Sequence, residues 1–154
     1  MNMGEYPALW RHLMACIVMA GIVCLSAPAL GSGEEDDLLV TVKGLRSQKG
    51  NVHIALYDDP DRFPDFDGMI LKVEVTIIDG TAHHKFNGLA SKRYAIAVYH
   101  DENDNDEFDQ GFLGIPLEDY AFSNNATVFL GPPSFADAAF AVPETREVHL
   151  RINK

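Results

Sequence analysis

From Leu38 onward the chain carries short apolar runs with a period of two, each closed by a turn signal. Val52, Ile54 and Leu56 alternate with His53, Ala55 and Tyr57, which predicts a strand with one face against a core. Gly50-Asn51 opens this run and Asp58-Asp59-Pro60-Asp61 closes it. An earlier strand is predicted over Leu38-Leu39-Val40-Thr41-Val42, ending at Gly44. Ile70 to Ile78 predicts a further strand, with Val73, Val75 and Ile77 on one face. Asp79-Gly80 is a hairpin signal, Thr81 to Phe86 its return strand, and Asn87-Gly88 the next turn. Tyr94, Ile96 and Val98 alternate with the small Ala95 and Ala97, the pattern of a central strand packed on both sides. Val148, Leu150 and Ile152 point inward from a last strand. Roughly seven short strands between turns predict an all-β fold, a single immunoglobulin-like or transthyretin-like β-sandwich.

Helical periodicity is confined to Ser134–Phe140, where Ser134 is a fitting N-cap and Asp137 follows three residues on. The segment from Gly111 to Pro133 shows little alternation. Long ordered connections are uncommon unless they carry function, so a site is to be sought there. Phe112, Tyr120, Phe122, Phe129, Phe135 and Phe140 all fall in or after it. Their ordinary role is to fill the sandwich core; exposed together, they would form a ligand or partner surface.

The first residues follow a different pattern. Arg11 and His12 precede an apolar run from Leu13 to Leu25, and Ser26-Ala27-Pro28-Ala29 supplies small residues for cleavage. This predicts a secretory signal peptide over residues 1–29, with a cut after Gly31 as the alternative. Residues 30–37, with Glu34-Glu35-Asp36-Asp37, read as a solvated acidic leader, and 38–154 as the β-sandwich domain. The expected location is the periplasm or the extracellular space, with no membrane contact after cleavage.

Cys16 and Cys24 both lie inside the predicted signal peptide. The mature chain would enter an oxidising compartment with no disulfide, thiol nucleophile or thiolate metal site. Formal net charge is −11. Without a basic patch to offset phosphate charge, nucleic acid is not an expected partner. The expected partner is an envelope or extracellular ligand or protein.

The densest chemistry lies in His100-Asp101-Glu102-Asn103-Asp104-Asn105-Asp106-Glu107-Phe108-Asp109. Side-chain oxygens stand at Asp101, Asn103, Asn105 and Asp109, loop positions 1, 3, 5 and 9, and the Glu107 carbonyl falls at position 7. A hard cation such as Ca²⁺ takes six to eight oxygens, which one short loop of this spacing can largely supply. Phe112 occupies the position of the usual bidentate acid, so Glu118 or Asp119 is expected to supply that ligand. The metal set is thus Asp101, Asn103, Asn105, Glu107, Asp109 and Glu118, holding Ca²⁺ weakly. Six acids within nine residues repel one another unless a cation or solvent relieves them. The competing assignment is a plain solvated turn, because Asp and Asn make turns through their own backbone bonds.

Other chemistries find less in the sequence. His83 and His84 are adjacent and point apart on a strand. A three-histidine zinc site would need His53, His100 and His149 to converge from separate strands. His100 directly precedes the loop and could support a ligand carboxylate. Glu118, Asp119 and His100 are the residues an envelope polysaccharide or peptide hydrolase would use, but adjacent residues in an extended segment point apart. Ser123 has no nucleophile-elbow glycines around it.

Three blocks together resemble the bacterial family catalogued as domain of unknown function 2141. They are Arg93 to Asp109 (RYAIAVYHDENDNDEFD), Gly114-Ile115-Pro116 with Glu118, and Phe122-Ser123-Asn124-Asn125. Gly50 to Asp58, Phe63, Gly88-Leu89, Gly131-Pro132-Pro133-Ser134-Phe135 and Ala138-Ala139-Phe140 extend the match. The resemblance implies an exported β-sandwich and brings no activity with it. Asp106 stands where the family pattern often has glycine, which tolerates a left-handed turn better. The expected function is a non-enzymatic, exported β-sandwich module with a structural calcium loop. The alternatives are the hydrolase and a purely structural module without metal.

Overall fold

Among the described residues, the alternation read from the sequence folds into eight strands in two sheets. A computed structural model describes residues 36–152. The predicted signal peptide, with Cys16 and Cys24, lies outside the described residues. The strands are β1 (Asp36–Lys43), β2 (Asn51–Tyr57), β3 (Leu71–Thr76), β4 (Thr81–Leu89), β5 (Arg93–Asp101), β6 (Asp119–Phe122), β7 (Phe140–Ala141) and β8 (Glu147–Arg151). One sheet has the order β4-β1-β8 and the other β3-β2-β5-β6, with β7 also on β5. The expected sandwich is therefore present, with the short β6 and β7 added to the strands read from the sequence.

Between the sheets lies the main core. Leu38, Val40 and Val42 of β1 and Val148, Leu150 and Ile152 at β8 face Val52, Ile54 and Leu56 of β2 and Tyr94, Ile96 and Val98 of β5. These are the apolar phases of each alternation, and their burial is the main driving force for closing the two layers. The opposite phase of β2 and β5 builds a second cluster on the outer face. There Ala55, Tyr57 and Ala95 are covered by Phe63, Phe122, Phe135 and Ala138. Ala95 and Ala97 are small because aromatic rings lie over them. Tyr94 also donates its hydroxyl to the Ala90 carbonyl (3.0 Å), pinning the entry of β5.

Four local expectations change. The acidic leader ends earlier than expected: Asp36 and Asp37 begin β1, paired to Arg146 and Lys85 at 2.7 Å each. Charges of opposite sign on β4 and just before β8 help to hold this run in the sheet. Asn87-Gly88 does not end β4. The register passes from Leu38↔Phe86 to Asp36↔Leu89, a bulge that Gly88 accommodates with φ of 70°. The segment from Gly111 to Pro133 contains β6, which pairs Ala97↔Phe122 through His100↔Asp119. Phe112 and Phe129 are not core residues; they are 86% and 82% exposed, whereas Phe122, Phe135 and Phe140 are buried.

Ser123 explains how β6 and β7 share one edge of β5. Its Oγ accepts the Ile96 amide (2.9 Å) and donates to the Ala138 carbonyl (2.6 Å). The side chain thus fills the gap between the Ala97↔Phe122 and Tyr94↔Phe140 pairs. It also ties down α1 (Phe135–Ala138), which Ser134 caps at the Asp137 amide as the sequence predicts.

Candidate metal centre

Asp101 is the last residue of β5 and is fully buried. Its Oδ1 accepts the amides of Asp104 (2.6 Å) and Asn105 (3.2 Å), and its Oδ2 accepts that of Asp106 (2.8 Å). The following chain is wound around this carboxylate, with Asp104 and Asp106 at left-handed φ of 61° and 64°. Burial pushes the Asp101 carboxyl up, but the amides of Asp106, Asn105 and Asp104 outweigh it and hold the group below its ordinary value. Asp101 is therefore an ionised post at the centre of the loop.

Asp109 gathers the other side chains. It accepts Nδ2 of Asn103 (2.8 Å) and Nδ2 of Asn105 (3.2 and 3.3 Å). A half-turn of either amide would present its Oδ1 instead. Glu107 gives its own amide to Asn105 Oδ1 (3.0 Å) and turns its side chain to solvent. Phe108 anchors the loop on the outer face, 5.3 Å from Tyr99 and 5.9 Å from Tyr120 between ring centroids.

A tight return brings Glu118 to this group. Leu117 donates its amide to the Asp109 carbonyl (2.9 Å), and Gly111 to that of Ile115 (2.8 Å). Glu118 Oε2 then accepts the Asp109 amide (3.3 Å). Its Oε1 is buried and has no hydrogen-bond partner among the described residues. Burial, helped by the charges of Asp101 and Asp109, pushes the Glu118 carboxyl up to about 7. The amides of Asp109 and Glu102 pull the other way.

The oxygens of Asp109 and Glu118, and those of Asn103 and Asn105 after a half-turn of their amides, would make an all-oxygen donor set. Such a set fits a hard cation. Glu118 is thus tied to the loop through the Asp109 amide. Asp119, the other candidate for that place, points away. Its buried carboxylate is ion-paired with Nε of Arg46, which also approaches Glu102 at 4.0 Å. His100 does not support a carboxylate: its Nε2 is 2.8 Å from the Lys49 carbonyl, because it faces the β1–β2 connection. Arg46 and Lys49, with His100 and Glu102, line a shallow recess that leads to Glu118.

Arg46 had no local sequence signature, since its partner lies 73 positions along the chain. In the sequence His53 is one of several scattered histidines. It stacks on Tyr99 with centroids 4.6 Å apart and planes 3° apart, and reaches Asp101 Oδ2 at 3.4 Å. Its place in the phase of Ala55 and Tyr57, opposite to the main core, was the available signal.

No curated protein and no solved structure matches the chain. Residues 40–150, which include both sheets, the wound loop and Glu118, match the family described as "Uncharacterized protein conserved in bacteria (DUF2141)", and the chain belongs to that family.

Proposed function

We propose that the protein is an exported, non-enzymatic β-sandwich module whose loop from Asp101 to Asp109, closed by Glu118, binds Ca²⁺ and acts as an interaction surface. The observation that carries this reading is Glu118: a buried carboxylate at the edge of the loop, with Oε2 accepting the Asp109 amide and Oε1 without a hydrogen-bond partner among the described residues. Ca²⁺ would supply the missing positive charge and bridge the loop to β6. Asn103, Asn105, Asp109 and Glu118 would hold it, with Asp101 shaping the loop and Glu107 offering its carbonyl. Export rests on the signal-peptide pattern of residues 1–29.

Phe112, Leu113, Ile115 and Leu117 stand exposed on the return between Asp109 and Glu118. A cation that fixes this return would present those side chains as one surface to an envelope or extracellular ligand or protein. The hydrolase alternative draws less support, since Asp119 is tied to Arg46 and His100 to Lys49. It is left with Glu118 as its acid or base.

Calorimetry of Ca²⁺ binding tests the reading. Affinity of about 10⁻⁴–10⁻³ M is expected for an extracellular module, with loss of binding in Asp101→Ala and Glu118→Gln. Absence of both binding heat and a rise in melting temperature at millimolar Ca²⁺ overturns it in favour of the purely structural module.

A further inference from the structure

The alternation of β2 turns His53 to the outer face, where the register sets it between Glu74 of β3 and Tyr99 of β5. The imidazole is 2% exposed, yet neither ring nitrogen has a hydrogen-bond partner among the described residues. Buried polar atoms without partners are rare in folded proteins and each calls for an explanation. Nε2 lies 3.4 Å from Asp101 Oδ2 and 3.7 Å from Asp106 Oδ1. Donor atoms of His53, Glu74 and Asp106 all lie within 4.8 Å of one another. Three separate parts of the chain meet here: an inner strand, the edge strand and the wound loop.

We propose that His53, Glu74 and Asp106 form a binding site for a divalent transition metal of the zinc type, distinct from the oxygen-lined calcium loop and joined to it through Asp101. An imidazole nitrogen with two carboxylates suits Zn²⁺ and its neighbours, whereas Ca²⁺ and Mg²⁺ prefer oxygen alone. The imidazole is held rigidly by its stack on Tyr99. Asn51 Nδ2 donates to Glu74 Oε1 (2.5 Å) and to Asp104 Oδ1 (2.9 Å), which fixes the Glu74 carboxylate beside the loop. Asp101 Oδ2 faces the same nitrogen, Nε2, at 3.4 Å and adds negative charge beside the site. Glu74 and Asp106 are exposed, so solvent reaches the remaining coordination positions. Asp106 supplies a carboxylate at a left-handed position that glycine would occupy more readily, and a glycine there would leave the site with two ligands. The site goes beyond the calcium reading and uses different ligands.

The test is calorimetric titration of the metal-free full chain with Zn²⁺ in saturating Ca²⁺, with the His53 ring nitrogens followed by NMR. One saturable event with a shift of the His53 resonances is expected. Asp106→Gly and Glu74→Gln should each weaken Zn²⁺ binding by about tenfold or more while Ca²⁺ binding persists. His53→Ala removes a buried side chain, so the two exposed variants keep the outcome clear if it misfolds. Absence of Zn²⁺ binding overturns the site. So does binding that both exposed variants leave unchanged, since His83, His84 or His149 would then account for it. Loss of Ca²⁺ binding with Zn²⁺ binding intact would fell the calcium reading alone.

Discussion

A Cβ placed on Gly50 would lie 1.8 Å from the carbonyl oxygen of Asp101. Gly50 also sits at a φ of 62°, where a side chain is strained. The start of β2 and the end of β5 can pair as Asn51↔Asp101 because nothing protrudes at that point. The glycine that opens β2 thus sets the position of the carboxylate around which the acidic loop is wound.

Gly50→Ala is therefore expected to destabilise the fold by about 2–4 kcal/mol, combining left-handed strain with overpacking. Chemical denaturation measures this. The same variant should weaken Ca²⁺ binding, since Asp101 must move. A stability change near zero would mean that the two strands part easily there.

The raised carboxyl of Glu118 gives the fold a pH dependence of known sign. Its folded value of about 7 exceeds the ordinary 4.5, so the folded state holds this proton more tightly than the unfolded state does. The stabilising contribution is full below 4.5 and is lost as pH rises through about 7. Without Ca²⁺, melting temperature should include a component that falls across this window and vanishes in Glu118→Gln. Ca²⁺ requires the ionised carboxylate, so binding between those two pH values should release a proton. Calorimetry in buffers of different ionisation enthalpy detects it, and Glu118→Gln should abolish it.

Ser123→Ala removes the link between β6, α1 and β7. The Ile96 amide and the Ala138 carbonyl both lose their buried partner. A cost of about 2–4 kcal/mol is expected from two unsatisfied backbone groups. Urea unfolding reads it, and no effect on Ca²⁺ affinity should accompany it, because the loop lies at the other end of β6.

Chelation should loosen the chain selectively. The Gly111–Leu117 return is held by few backbone bonds, whereas Ala97 to His100 and Asp119 to Phe122 are paired strands. Hydrogen exchange should lose protection at Gly111 and Leu117 on Ca²⁺ removal, with β2, β5 and β6 unchanged. Equal protection in both conditions would show that packing alone orders the return.

Local pattern alone determined a good part of this molecule. The period of two in Val52–Tyr57 and Tyr94–Val98, the Asp79-Gly80 hairpin and the Ser134 cap depend on interactions within a few residues, and each appears where the sequence predicts it. The spacing of oxygens from Asp101 to Asp109 is likewise local, and so is its winding. Tertiary structure decided what depends on partners distant in the chain. Nothing near β8 specifies that it runs parallel to β1, because strand order follows from how the whole apolar surface is buried. Asn87-Gly88 carries a turn signal, but a longer β1 partner turned it into a bulge. Arg46 selects between Glu118 and Asp119 by pairing with the latter, which leaves Glu118 to the loop. His53, Glu74 and Asp106 are far apart in sequence and show no shared spacing; only the pairing of β2 with β3 and the winding of the loop bring them together.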